Sequence, residues 1–342
     1  MDLSPTAEQQ QLVEAFSALY AKESSTDRVR AAEPTGHDPV LWERLSEVGA
    51  LEMAVPEESG GWGASMSDLG LVAEQHGRYL GSAPLLEAQA AARLLARVGG
   101  KAATGVLGQA IAGDALVTMA LHPPRAGTLG MVPSGAVADR VVFAEADRLL
   151  CFEPGPDRRV VGNLGSMPVA DLEVGSHVVE LASGARARSA YEQSRDEWMV
   201  LMAGALAALG SRSIEIGVDY VKERRAFGVP IGSFQAVAHG LADAATAVDG
   251  SLLLAREAAW AAAADPGRAA ELAALAFAFS AESAREASYR SLHYHGGYGF
   301  MLEYDIQLYF RRAKAWPAQF NEPRLAYARA AERRLTRTTS GG

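Results

Sequence analysis

The chain is poor in cysteine: one residue, Cys151, stands among 342. A single thiol excludes an internal disulfide framework and a thiolate metal cluster, and it fits a reducing, cytoplasmic setting. Cys151 sits in an apolar run and reads as a semi-buried thiol rather than a nucleophile. Positive charge is in deficit, with 32 Lys and Arg against 41 Asp and Glu and a net charge of -9. An acidic surface does not attract nucleic acid or an anionic membrane, so neither is expected as the main partner, although local basic pockets for phosphates remain open. Long hydrophobic runs are missing too, and none is read as reaching the ~20 residues that a membrane span needs. Met1 to Ala21 is acidic and amphipathic, without the basic start and apolar core of a signal peptide. No solenoid repeat and no low-complexity linker is found.

What is present is length and apolar content. A chain of 342 residues that is 49% hydrophobic can form two or three domains and bury a sizeable core. Ser4-Pro5 reads as a capped helix start, followed by Leu12, Ala15, Phe16 and Leu19 at helical spacing. Helical stretches follow near Val40 to Val48, Ser67 to Leu80 and Ala83 to Val98, around the turn-rich segment Pro56 to Gly63. From Asp114 to Gly184 the pattern changes to short β-branched runs such as Arg140 to Ala144 and His177 to Leu181, which predict a small antiparallel β domain. Long Ala- and Leu-rich segments return at Tyr191 to Glu223, Ser233 to Ala264 and Pro266 to Leu292, each long enough to cross a four-helix bundle. The expected architecture is mainly α with a small β domain: a helical domain over 1–112, a short middle β domain over 113–184 and a C-terminal bundle over 185–342.

Two blocks carry the chemistry. The first runs Arg224-Arg225-Ala226-Phe227-Gly228-Val229-Pro230-Ile231-Gly232-Ser233-Phe234-Gln235; the second is His295-Gly296-Gly297-Tyr298-Gly299-Phe300, closing on Tyr309-Phe310-Arg311-Arg312-Ala313. By residue type alone, Arg224 is either an ion-paired helix-end charge or a forked donor for a phosphate. Ser233 reads as the cap of the next helix, with Gln235 in its first turn near the positive helix end. Phe227 and Phe234 read as core residues or as a wall for a ligand. Gly296-Gly297 is either a helix-terminating turn or a place where backbone approaches a ligand closely. His293 and His295 lie two apart on a helix, so they diverge, and no metal site is expected.

At this spacing the blocks resemble the acyl-CoA dehydrogenases, and the order of helices, small β domain and bundle extends the resemblance over essentially the whole chain. Pro56-Glu57-Glu58 with Gly60-Gly61 also resembles the family. The resemblance implies FAD as cofactor, with Arg224, Phe227, Gln235, His293, Gly296 and Gly297 as the surface that reaches it. Reaction in the family needs a carboxylate to take the α-proton of an acyl-CoA while hydride leaves the β-carbon for the flavin. The usual base position, 23 residues after Gly297, is Phe320, and the alternative, 26 residues before Arg224, is Trp198. Neither takes a proton. Glu322 and Glu197 are the nearest substitutes. The family's Gly-Ser-Asp flavin loop is also absent, and the matching stretch reads Val117 to Arg125.

These departures resemble the smaller, base-less subunit of heteromeric α2β2 acyl-CoA dehydrogenases of bacterial steroid degradation. The resemblance implies a homologous partner subunit that supplies the base, α,β-desaturation of a bulky acyl-CoA, and an electron-transfer flavoprotein as acceptor. Alternatives are a homomeric enzyme with a displaced base and a non-catalytic scaffold of the same fold.

Overall fold

The computed structural model describes residues 2–175, 177–320 and 323–340; Glu322 lies outside the described residues. The chain divides into two compact units. One comprises residues 27–69 and 82–198, the other residues 1–26, 70–81 and 199–342.

The first unit holds α2 (Thr26–Ala31), α3 (Pro39–Glu47), α5 (Leu85–Val98) and α6 (Gly100–Ile111), the first four residues of α4 (Met66–Arg78) and the start of α7 (Gly184–Glu223). Asp38 caps α3 through its carboxylate, with Pro39 opening the helix, and the same carboxylate holds Arg28 at 2.9 Å. Seven strands follow α6: β1 (Val117–Met119), β2 (Thr128–Val132), β3 (Arg140–Glu145), β4 (Arg148–Phe152), β5 (Arg159–Val160), β6 (Ala170–Glu173) and β7 (Val178–Ser183). They form two sheets, ordered β1-β3-β4-β7 and β2-β6-β5. The expected antiparallel pairing holds except at β1, which runs parallel to β3. Between these two strands the chain detours through β2 in the other sheet, so it re-enters beside β1 in the same direction. Leu129, Val132, Val141, Phe143, Leu150, Phe152 and Leu172 form the core, with Phe143 edge-on to Phe152 at 5.7 Å. Cys151 is buried in β4, and burial pushes its thiol up to about 11, which keeps it protonated and unreactive.

The second unit is built from α1 (Ala7–Glu23), most of α4, α7 from Met199, α8 (Gln235–Ala264), α9 (Pro266–Tyr294), α10 (Ile306–Ala315) and α11 (Pro323–Ser340). Thr6, not Ser4, caps α1: its hydroxyl accepts from the Gln9 amide at 3.2 Å, and Gln9 accepts from the Thr6 amide at 3.0 Å. This reciprocal pair satisfies two otherwise unbonded donors, which the Ser4-Pro5 start cannot do. Alanine and glycine let the helices approach backbone to backbone. A Cβ on Gly77 of α4 would stand 1.8 Å from the Ala205 carbonyl oxygen of α7, and one on Gly210 would meet Val248 of α8 and Ala284 of α9. An 18-residue stretch of α7 has mean hydropathy 1.4, apolar and long enough to span a bilayer, which corrects the expectation that no segment is; 72% of it is buried inside the protein, as expected of a core helix.

A buried polar knot ties this unit together. His76 of α4 shares a hydrogen bond with the Tyr20 hydroxyl at 3.0 Å and packs its ring 5.8 Å from Trp316. Arg312 donates to the Leu80 carbonyl beside it. Burial first, and the nearby Arg312 charge second, push His76 down to about 3, so it is neutral in the folded protein. Unfolded histidine titrates near 6.5; between the two values the unfolded chain therefore binds the extra proton. The contribution of His76 is fully present above about pH 6.5 and is lost toward pH 3, at about 1.4 kcal/mol per pH unit. Urea unfolding at stepped pH is expected to show this slope in the wild type and its loss in His76→Gln. Equal slopes in both proteins would refute it.

Candidate functional site

The Arg224–Gln235 block and the turn around Gly296 meet at one end of the helical bundle, whereas Tyr309 and Arg312 of the closing stretch are engaged by the Arg78 and Leu80 carbonyls. Arg224 follows the last residue of α7, and the chain then turns through a two-stranded hairpin, β8 (Arg225–Ala226) and β9 (Val229–Pro230). Its two-residue turn needs positive φ at both positions, met by Phe227 at +54° and Gly228 at +83°. Glycine adopts this readily, whereas an aromatic residue there is held at a conformational cost. The result is a phenyl ring that is 96% exposed and meets Phe234 edge-on at 6.3 Å. The Ile231 amide donates to the Arg224 carbonyl at 2.8 Å and closes the base of the hairpin.

Ser233 does not cap α8. Its hydroxyl donates to the Pro230 carbonyl at 2.7 Å inside a short 3-10 turn, and α8 begins at Gln235 after an extended Phe234 that provides no side-chain cap. The first turn of α8 therefore keeps its positive end uncovered by side-chain oxygen, with Gln235 exposed beside it.

The Gly-Gly turn reaches the same end. Helix α9 stops at Tyr294, whose hydroxyl contacts the Ala236 carbonyl at the start of α8 at 3.4 Å. Gly296 then adopts φ +61°, a left-handed helix-ending position. A Cβ on Gly296 or Gly297 would meet no atom within 4 Å, so both present bare backbone to open space. His293 lies exposed on the last turn of α9, its ring 5.9 Å from Tyr289. Arg224 spans the two blocks, with its guanidinium carbon 5.9 Å from the centre of the Tyr298 ring.

Sequence reasoning missed what lies behind Arg224. Tyr298 stacks on Tyr304 at 5.4 Å, Tyr304 meets His295 edge-on at 6.1 Å, and His295 stacks on Tyr220 at 3.9 Å. His295 donates from Nδ1 to the Ser291 carbonyl at 2.7 Å, and burial holds its pKa below the usual range. The available signal was Tyr220, one helical turn before Arg224.

At the base positions the structure places buried aromatic side chains, and that of Trp198 interacts with the buried Glu87 carboxyl, whose pKa burial raises. Phe320 is buried and packs edge-on against Phe277 at 5.6 Å, and Trp198 is fully buried. Glu197, the nearest substitute beside Trp198, accepts on one oxygen from Arg97 at 2.6 Å and from Arg93 at 3.1 Å. Burial raises its pKa, but the Arg97 and Arg93 charges and hydrogen bonds outweigh it and hold the carboxyl below the usual range. A carboxylate so held is a poor proton acceptor. Thr118, in the stretch that replaces the Gly-Ser-Asp loop, is buried and donates to the Pro133 carbonyl at 2.8 Å.

Chemically, the bundle end offers a guanidinium, a primary amide, an uncapped helix start, open glycine backbone and an exposed ring. That donor set fits a ligand with an anionic linker between two ring systems, such as FAD.

Models of the acyl-CoA dehydrogenase N-terminal and C-terminal domains match residues 6–107 and 192–318. The chain is 32% identical to the acyl-CoA dehydrogenase IpdE2 of Mycolicibacterium smegmatis, covering 93% of this chain and 96% of the relative. It is 29% identical to IpdE2 of Mycobacterium tuberculosis over 94% of this chain and 96% of that protein. Among solved structures, a chain of the ChsE4-ChsE5 complex of Mycobacterium tuberculosis superposes with a TM-score of 0.85 and 26% identity, over 100% of this chain and 100% of that one.

Proposed function

The chain belongs to the acyl-CoA dehydrogenase family, FAD-dependent oxidoreductases acting on acyl-CoA thioesters, and we propose that it serves there as the base-less subunit of a heteromer. One observation carries this reading. The groups suited to the cofactor are exposed at the bundle end, while the residues at the base positions are buried aromatics. A chain equipped to hold FAD without a base to use it suits a pair in which a homologous subunit provides the carboxylate.

When bound, FAD supplies the hydride acceptor for α,β-desaturation of the thioester. Arg224 directs a permanent, forked cation at the pyrophosphate, and Gln235 adds amide hydrogen bonds at the positive start of α8. Gly296 and Gly297 let backbone approach the adenosine part, His293 contributes a ring nitrogen at that edge, and Phe227 covers the cofactor from water. The assembly is an α2β2 heterotetramer with one FAD per pair, acting on a bulky, steroid-derived acyl-CoA and passing electrons to an electron-transfer flavoprotein. The neighbouring structure, itself a ChsE4-ChsE5 complex, supports the heteromeric arrangement.

Substitution of Arg224 by Ala in the reconstituted complex tests the reading. Charge-assisted hydrogen bonds are worth about 1.5–3 kcal/mol each, so FAD affinity is expected to fall about 100-fold, read as flavin content after gel filtration. Unchanged flavin content and turnover would favour a scaffold role instead.

A further inference from the structure

We propose that Tyr298 is a positioning residue that holds the Arg224 guanidinium ready for an anion in place of a carboxylate partner; this rests on the assignment of Arg224 to the FAD pyrophosphate. The protein is acidic, and its arginines are widely neutralised by carboxylates: Arg78 and Arg212 by Glu215, Arg256 by Glu74, and Arg93 and Arg97 by Glu197. Arg224, like Arg225 and Arg186, which donate to carbonyls, is not among these pairs: among the described residues no carboxylate meets its side chain, which lies 5.9 Å from the centre of the Tyr298 ring and whose charge also acts on the Tyr220 hydroxyl.

A ring face orients a cation without neutralising it, whereas a carboxylate would have to be displaced before a phosphate could bind. The ring is itself fixed. Tyr298 stacks on Tyr304 at 5.4 Å, Tyr304 abuts His295 at 6.1 Å, and His295 stacks on Tyr220 at 3.9 Å. Tyr220 precedes Arg224 by one turn of α7, and the Arg224 amide donates to the Tyr220 carbonyl at 2.9 Å. The contacts thus close a loop from Arg224 through four rings and back to its own helix. The Tyr220 hydroxyl also contacts the His295 carbonyl at 3.4 Å, which anchors the Gly-Gly turn to the same helix. One set of contacts therefore fixes the cation and the glycine backbone relative to each other.

The contribution expected of an exposed to partly shielded cation–π contact corresponds to about a 3- to 20-fold change in affinity. The test is a fluorescence titration of FAD into the flavin-stripped, full-length protein in the assembly with which it purifies. Tyr298→Leu is expected to raise the dissociation constant about tenfold, Tyr298→Phe to restore it to within twofold of wild type, and Tyr298→Leu to add nothing once Arg224→Ala is present. A wild-type constant in Tyr298→Leu, or an equal loss in the Arg224→Ala background, overturns the role of Tyr298 and leaves Arg224 assigned. A loss in Tyr298→Phe as large as in Tyr298→Leu overturns it also, since the ring would then not be the agent. An unchanged constant in Arg224→Ala overturns the cofactor assignment and this proposal with it. Where Tyr298→Leu does not fold, Tyr298→Gln, which removes the ring and keeps a polar side chain at this partly exposed position, takes its place with the same expected and overturning results.

Discussion

Produced without a partner subunit, the chain is expected to purify flavin-poor and to show no acyl-CoA dehydrogenase turnover, whereas co-expression with a longer homologue that carries a base is expected to give a yellow, active complex. The effect is large because two independent deficits act together. A general base contributes about 10²- to 10⁴-fold to a proton abstraction, and Phe320 and Trp198 have no proton-accepting group to offer. The groups proposed to meet the cofactor are also one-sided: Arg224, Gln235 and the glycines gather at the bundle end, while Thr118, in the stretch matching the missing flavin loop, is buried and committed to Pro133. Absorbance at the flavin band and dye reduction with an acyl-CoA read both deficits in the same preparations. A fully flavinated, active homo-oligomer of this chain alone would refute the heteromeric reading.

The helix end, turn and helix start around Arg224 were legible in the sequence because they are local. Arg224 to Gln235 is one helix end, one hairpin and one helix start, and the Phe227-Gly228 turn needs only those two residues to set its geometry. The long helices were legible for the same reason, their bounds shifting by a few residues at most except at the start of α7, where Gly184 extends the helix well before Tyr191. What failed depended on partners distant in sequence or on competition between near neighbours. The parallel pairing of β1 with β3 follows from the other sheet that the chain visits between them. Ser233 and Ser4 both have the right chemistry for a cap, but the Pro230 carbonyl engages the first and the Thr6–Gln9 pair makes the second unnecessary. Helix α2 is too short to show a period, and α6 carries its buried stripe, Ala103, Val106, Leu107 and Ala110, on small residues among three glycines, so its pattern is easily passed over. The rings behind Arg224 come from three separate segments, and only the folded chain brings Tyr220, His295 and Tyr304 into register.

Glu197 gives the second large effect, and it separates a structural carboxylate from a displaced base. The side chain is 5% exposed, and one of its oxygens accepts from two guanidiniums, with Arg97 also donating to the Ser194 hydroxyl at 2.7 Å. Since its folded pKa is depressed, its contribution is present above the unfolded value of about 4.5 and fades as pH falls below it, so at neutral pH the whole contribution is in force. Removing one partner of a buried pair costs about 3–5 kcal/mol because the remaining charges are stranded; Arg93 and Arg97 keep some solvent contact, which places the expected loss near about 3 kcal/mol. Glu197→Gln is therefore expected to lower the free energy of unfolding by about that amount, measured by urea denaturation at pH 7, while flavin content and turnover per folded complex stay at the wild-type level. A second substitution sharpens the outcome: adding Arg97→Met to Glu197→Leu removes stranded charge and is expected to recover part of the loss, since an apolar replacement of similar volume is often neutral or better. If Glu197 were instead the base, the isosteric Gln would cut turnover per folded complex by about 10²- to 10⁴-fold with flavin retained, on top of the same loss of stability. Turnover per folded complex thus separates the two roles, and the denaturation curve on the same purified variant checks the ion-pair contribution.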